Sequence, residues 1–247
     1  MIGKEPSTML IEMHAHVIRN VDDGPKDNDH MYALLRQAAD TGVTHLICTS
    51  HITPGYQPFP NQEYLTGLKE ATAWCKKNAP NLKLHIGSEI LYTESTSRLL
   101  DEGYVPSLDQ TMTVLVEFPP QATEQQIRNA IQDLGSHGYT VILAHVERYI
   151  HLHKLSTMES LKQDYGCFCQ MNSRTVLNQT ELLHRSLHTK KLLDHNLIDF
   201  VSSDAHGAHT RPMCLNQAHD YLVTHYGQET ADALCGTNIQ TLLKLES

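Results

Sequence analysis

The sequence predicts one α/β domain, a closed or nearly closed parallel (β/α) barrel of the TIM-like kind. A length of 247 residues with 40% apolar content is long for an ordinary domain and normal for one such barrel. Short apolar runs alternate along the chain with amphipathic segments, the pattern of βα units on a parallel sheet. Each apolar run ends in a polar residue of the kind that binds metal. The C-terminal ends of barrel strands are where sites are assembled.

The apolar runs, in order, are LIEM (10–13), VTHLICT (43–49), LKLHIG (82–87), TMTVLVEF (111–118), YTVILAH (139–145), CFCQMN (167–172) and LIDFVSS (197–203). Helical patterns lie between them at 27–42, 62–78, 123–138, 156–164 and 211–227. The first begins at Asp27 or Asn28, either able to cap the free N–H groups, and stops at Gly42 as its C-cap. No internal repeat, low-complexity tract or linker interrupts the alternation.

Composition excludes several classes. The net charge of −9, from 19 basic and 28 acidic residues, disfavours a protein that grips nucleic acid through its phosphates. Apolar runs such as LIDFV fall far below the ~20 residues of a membrane-spanning helix. The N-terminal MIGKEPSTM has no apolar signal core, so a cytoplasmic protein is expected. The six cysteines include no CxxC pair, which disfavours a zinc ribbon or a thioredoxin-type motif.

Chemistry collects at the ends of the runs. They deliver His14 and His16, then His51, Glu89, Glu117, His145, Asn172, and finally Asp204 and His206. A lone strand-end histidine is more often an ordinary core or rim residue, and Asp204 could simply cap a turn. Independent decoration would scatter polar residues over both ends of the strands, whereas here one end gathers five histidines and several carboxylates. Positions i and i+2 of a strand share a face ~6.6 Å apart, so His14 and His16 can converge on one cation where the strand curls. His151 and His153 share that spacing but lie beyond the fifth run, and they are left out of the site. His45, His85 and His137 sit at the opposite strand ends. His184, His188, His195, His219 and His225 fall in helical patterns and are expected at the surface.

Taken in order, HAH, TSH, GSE, LAHVERY and SDAH resemble the PHP (polymerase and histidinol phosphatase) metallophosphoesterases. DDGP, VEFP, HVERY and SDAHGAHTRP narrow the resemblance to the CpsB/CapC-type branch, the manganese-dependent bacterial protein-tyrosine phosphatases of capsule and exopolysaccharide operons. It extends from about residue 10 to at least residue 212. The chain departs from the pattern in Glu12 before the first HxH, in Ile52 after His51, and in an N-terminal extension over residues 1–9 ahead of a phosphatase domain at 10–247. None of these removes a ligand.

The resemblance implies a distorted (β/α)7 TIM-like barrel with three metal ions. His14, His16, Glu89 and Asp204 would hold one. Glu89 would bridge to a second, held also by Glu117 and His145. Asp23, His51 and His206 would hold the third. This mixed, fairly hard set of imidazoles and carboxylates suits Mn²⁺, Fe or Zn²⁺, and the resemblance selects Mn²⁺. Metal-activated hydroxide would attack the phosphorus of phosphotyrosine with no phosphoenzyme, and Arg148 and Arg211 match the branch's phosphate-binding positions. The loop ITPGYQPFP offers Tyr56 and Phe59 as walls for the aryl ring. The implied partner is a phosphotyrosine protein, the tail of an autophosphorylated bacterial tyrosine kinase; a homo-oligomer is left open.

Cysteine-based tyrosine phosphatases place an arginine six positions after the nucleophile, and none of the six cysteines has one; Cys169 to Arg174 is one residue short. The competing readings are a histidinol-phosphate phosphatase on the same scaffold, an amidohydrolase, and a non-catalytic metal-binding regulator. An amidohydrolase usually needs a lysine at a middle strand end, where this chain has Glu117.

Overall fold

The computed structural model describes residues 9–177 and 183–246. Of the expected N-terminal extension only Met9 falls within them, and the side chain of His184 lies outside the described residues. Seven parallel strands follow in chain order: β1 (Leu10–Ala15), β2 (Val43–Ile52), β3 (Lys83–Leu91), β4 (Thr113–Glu117), β5 (Thr140–Leu143), β6 (Phe168–Asn172) and β7 (Phe200–Ser202). Each pairs with its successor, and the sheet curls until its two edges meet. The His16 N–H donates to the Ala205 carbonyl at 2.8 Å and the Asp204 N–H to the His14 carbonyl at 2.9 Å. The result is the nearly closed α/β barrel that the alternation predicts.

Helices α1 (Asn28–Asp40), α2 (Asn61–Asn78), α3 (Thr96–Asp101), α4 (Glu124–Ser136), α5 (Leu155–Tyr165), α6 (Ser173–Val176), α7 (Leu183–Asp194) and α8 (Leu215–Tyr226) pack outside the strands. Asp27 caps α1, accepting from the His30 N–H at 2.9 Å. Thr41 rather than Gly42 is its C-cap; Gly42 follows at φ +84°, the left-handed turn that glycine enters without a Cβ clash. Helices α3 and α6 are too short for an apolar stripe to reveal them in the sequence.

The barrel interior is layered. Strand alternation puts His45, Ile47, Thr49 and His51 of β2 on one face, and His85, Gly87 and Glu89 of β3 on the matching one. Ile47, Leu115, Ile142 and Phe200 fill the middle, closed from below by Leu108, Ile239 and Leu243. A Cβ on Gly87 would lie 2.8 Å from Ile47 Cγ2 and 3.1 Å from Leu108 Cδ2, so the plug leaves that strand no room for a side chain. Register sets His51 beside Glu89 at the upper end.

The lower end carries its own imidazoles. His45 Nδ1 lies 2.9 Å from His85 Nε2, and His85 Nδ1 lies 3.1 Å from Asp109 Oδ1. Among the helical histidines, His225 is exposed as expected, but His219 is buried on the inner face of α8 with Nε2 2.8 Å from Asp232 Oδ1. His188 is half-buried beside the His153 ring. Among the described residues no helix is long and apolar enough to cross a membrane.

Burial, reinforced by the charges of His85 and Lys83, pushes the His45 pKa down to about 4 from 6.5. Between those values the unfolded chain binds a proton that the folded one refuses, so stability present above pH 6.5 is lost as pH falls toward 4. Replacing His45 by Gln is expected to flatten the acid side of a stability–pH curve by up to about 1.4 kcal/mol per pH unit. Urea unfolding of the two proteins across that range measures it; parallel curves would contradict the assignment.

Candidate metal centre

The upper ends of the strands converge as the sequence predicts. His14 and His16 come from the end of β1, His51 from β2, Glu89 from β3 and Glu117 from the last position of β4. His145 follows β5, and Asp204 and His206 follow β7. Asp23 returns from the loop after β1, which passes so close that a Cβ on Gly24 would sit 2.6 Å from the His16 carbonyl oxygen. Glycine is therefore what lets this loop reach the mouth.

Three ligand groupings result, each with one donor atom per residue and all donors within 4.8 Å of one another: His14, His16, Glu89 and Asp204; His16, Asp23, His51 and His206; His51, Glu89 and Glu117. His145 Nε2 joins the last, 2.8 Å from Glu89 Oε1 and 3.5 Å from Glu117 Oε2. All nine residues predicted as ligands thus meet at one mouth. Glu89 falls in two groupings, as the partition implied by the resemblance has it; the geometry also shares His16 and His51 between two groupings each, where that partition gives each of these histidines one ion. His145 at φ +34° and Asp204 at φ +54° hold left-handed backbone, a conformation costly for side chains with a Cβ and concentrated at functional sites.

The donor atoms fit cations. His16 Nδ1 is committed to Asp22 Oδ2 at 2.8 Å and His14 Nδ1 to Gln170 Oε1 at 3.2 Å, so both Nε2 lone pairs face inward. Those two nitrogens stand 3.3 Å apart, and each lies 3.0 Å from Glu89 Oε2. That oxygen is buried and receives no hydrogen bond, and His206 Nε2 is likewise buried without one, with Asp23 Oδ1 3.1 Å away. Lewis bases packed lone pair to lone pair are the pattern of a site built for cations.

Electrostatics agree. Burial pushes the Glu89 carboxyl's pKa up, but the surrounding imidazoles of His14, His145 and His16 outweigh it and hold it well below the usual range. Burial disfavours the imidazolium of His145, yet Glu117 and Glu89 push its pKa up to about 9. Such a mouth draws positive charge.

The arginines expected to bind phosphate also reach it. Arg148 Nη2 donates to Asp204 Oδ2 at 2.9 Å and Arg211 Nη2 to the same oxygen at 2.6 Å. The neighbouring carboxylate Glu147 turns inward and accepts from the Thr175 hydroxyl at 3.0 Å. The aromatic loop divides: Tyr56 is 84% exposed, whereas Phe59 is buried with its ring 5.1 Å from that of Tyr64. Phe59 packs the loop onto the barrel. His151 and His153 lie outside all three groupings.

Asp22 is the residue that the sequence reading passes over. Its Oδ2 accepts from His16 Nδ1 and from the His51 N–H at 3.0 Å, and its Oδ1 accepts from the Gly24 N–H at 2.9 Å. The DDGP motif was its signal, since one carboxylate of a pair can orient a ligand while the other binds. Glu12, which the sequence shows only as a departure before the first HxH, is fully buried and accepts from the Ser203 N–H at 2.8 Å and from the Ser202 hydroxyl, tying β1 to β7.

A parallel α/β barrel whose mouth gathers imidazoles, carboxylates and two arginines defines a protein with a candidate metal centre. A family model for capsular polysaccharide synthesis, CpsB/CapC, matches residues 10–244, and the chain belongs to that family. It is 30% identical over 241 residues to the tyrosine-protein phosphatase CpsB of Streptococcus agalactiae serotype III (strain NEM316), covering 95% of this chain and 98% of the relative. Its fold matches the crystal structures of YwqE from Bacillus subtilis and CpsB from Streptococcus pneumoniae, unique metal-dependent tyrosine phosphatases, with a TM-score of 0.83, 24% identity and 96% of both chains covered. An amidohydrolase from Mycoplasma synoviae shares the barrel more loosely, with a TM-score of 0.59, 10% identity, and 96% of this chain and 88% of that one covered.

Asp22→Asn should weaken metal binding about 10- to 100-fold, the usual effect of losing a carboxylate that orients a ligating histidine. Equilibrium dialysis against Mn²⁺ checks this. Unchanged affinity would show that Asp22 serves only the loop.

Proposed function

We propose that this chain is a Mn²⁺-dependent protein-tyrosine phosphatase acting in the cytoplasm on the phosphotyrosine tail of a bacterial tyrosine kinase that governs capsule or exopolysaccharide synthesis. The observation that carries the reading is the meeting of nine ligand residues and two arginines at one barrel mouth. It is supported by CpsB relatives named as tyrosine-protein phosphatases over nearly the whole chain.

Three ions would be held by His14, His16, Glu89 and Asp204; by Glu89, Glu117 and His145 with His51 alongside; and by Asp23, His51 and His206 with His16 alongside. Bound there, divalent cations neutralise the phosphate dianion and bring the pKa of water toward ~7, so that a nucleophile exists at neutral pH. Fe or Zn²⁺ fits the same donors. The protein's part is placement. Arg148 and Arg211 each commit one amino group to Asp204, and Arg211 Nη1 lies 3.9 Å from Asp23 Oδ2; their other donors can grip phosphate oxygens and the charge that builds on them. Tyr56 lines a cavity of about 330 Å³ with Pro54, Leu99, Tyr104 and Ile52, the residue after His51, and there it would lie against the aryl ring.

Thiol catalysis has no support. All six cysteines are buried, and burial pushes Cys75 up to about 11 and Cys214 up to about 12. An amidohydrolase is disfavoured by Glu117 at the middle strand end.

The direct test compares kcat/KM for a phosphotyrosine peptide with that for histidinol phosphate. A preference for the peptide is expected; the reverse would move the chain to small-molecule phosphatases. His145→Ala and Asp204→Ala should each lower kcat by orders of magnitude, because both remove a ligand from a cluster that acts as one unit. His151→Ala should leave turnover near that of the parent protein. Peptide assays with metal analysis on the same samples decide it, and full activity in a metal-replete His145→Ala protein would remove His145 from the site. Tyr56→Ala should reduce kcat/KM for the peptide more than for a small non-aromatic phosphate ester, and equal losses would leave Tyr56 without a role in selection.

A further inference from the structure

β6 contributes none of the nine ligand residues, yet it touches three of them. Gln170, fully buried, places Oε1 2.7 Å from the backbone nitrogen of His145 and 3.2 Å from His14 Nδ1. Gln170 Nε2 lies 3.0 Å from Asn172 Oδ1, and Asn172 Nδ2 lies 2.9 Å from Asp204 Oδ2. One atom in this chain has no choice of role. The backbone N–H of His145 can only donate, so the atom of Gln170 that faces it is the carbonyl oxygen. The Gln170 amide group then faces Asn172 and demands its oxygen, which turns the Asn172 amide group onto Asp204. The same Gln170 oxygen leaves His14 Nδ1 the single role of donor, and His14 Nε2 is left as a bare lone pair toward Glu89.

Two consequences meet at the ions. Asp204 Oδ2 is saturated by Asn172, Arg148 and Arg211, so Oδ1, 3.5 Å from both His14 Nε2 and His16 Nε2, is the oxygen left for a cation. The two ligands with left-handed backbone, His145 and Asp204, are both anchored by β6, one through its N–H and one through its carboxylate.

We propose that Gln170 and Asn172 are positioning residues: a hydrogen-bond relay of fixed polarity that sets the tautomer of His14, selects the ligating oxygen of Asp204, and couples the ion held by those residues to the one held by His145 and Glu117. The inference rests on the ligand assignment above, and it is tested without turnover. Gln170→Glu keeps an acceptor for His145 and His14 but loses the donor to Asn172. Gln170→Leu loses both, and Asn172→Ala loses the donor to Asp204 and the acceptor for Gln170 Nε2 while leaving the Gln170 oxygen to His145 and His14. Each protein is stripped with chelator, its Tm is measured alone and with Mn²⁺, and bound manganese is counted after dialysis. The relay predicts a Mn²⁺-induced rise in Tm that falls in the order parent, Gln170→Glu, Gln170→Leu. It also predicts a loss of Mn²⁺ affinity of about tenfold or more in Gln170→Leu and a smaller loss in Asn172→Ala. If Gln170→Leu does not fold, Gln170→Glu and Asn172→Ala carry the test. Variants whose metal-free Tm drops while the Mn²⁺-induced rise stays whole would overturn the proposal, as would Mn²⁺ affinities equal to the parent's. A parent protein that binds no Mn²⁺ would instead refute the ligand assignment, and the relay with it.

Discussion

Everything at the barrel mouth depends on the burial of Glu89. Its carboxylate has no exposed surface and stands among four imidazoles, with His14 and His16 Nε2 at 3.0 Å, His51 Nδ1 at 3.2 Å and His145 Nε2 at 2.8 Å. An uncompensated buried carboxylate costs several kcal/mol, and removing one partner from such a set is more destabilising than never having built it. Without metal the imidazoles can hold protons as countercharge, as the rise of the His145 pKa to about 9 shows; bound cations would supply that charge instead, with the imidazoles deprotonated to ligate. β3 can carry Glu89 to this depth because Gly87, two residues below on the same face, leaves the space that Ile47 and Leu108 occupy.

Around this charge the fold separates apolar from polar by layer. The apolar plug of Ile47, Leu115, Ile142 and Phe200 keeps the candidate ligands above it and the His45–His85–Asp109 contacts below. Supporting side chains then fix the ligands: Asp22 holds His16, Gln170 holds His14, and Glu12 with Ser202 closes β1 onto β7. The strain at His145 and Asp204 is sustained because hydrogen bonds from other strands over-determine both residues. The same economy of placement serves the substrate, since the two arginines that would grip phosphate are aligned by a carboxylate that is itself a proposed ligand.

The strands and the gathering of the nine polar residues at their ends were legible in the sequence for one reason. Apolar runs of strand length mark where each strand ends, and a parallel barrel brings those ends together, so residues far apart in sequence become neighbours by topology alone. What distances decide was not legible. Asp22 and Asp23 are chemically equal in DDGP, and only the close pass of Gly24 over His16 turns one inward and leaves the other open. Gln170 sits inside an apolar run, where nothing separates a relay from a satisfied core amide. The sharing of His16 and His51 between groupings, and the left-handed turns at His145 and Asp204, arise from strand curvature that no residue pattern encodes. Tyr56 and Phe59, alike in the loop, parted because one ring found Tyr64 to pack on. His219 was misjudged because its partner, Asp232, lies in a separate element.

The central claim is that turnover belongs to bound metal. The measurement that tests it most directly is a titration of chelator-stripped protein with Mn²⁺, following bound ions and phosphotyrosine-peptide hydrolysis in the same samples, with and without prior thiol alkylation. The structure predicts no turnover without metal, activity that rises with ions bound at the mouth, and the same curve after alkylation. Hydrolysis by metal-free protein, or loss of it on alkylation with the ions still bound, would contradict the account.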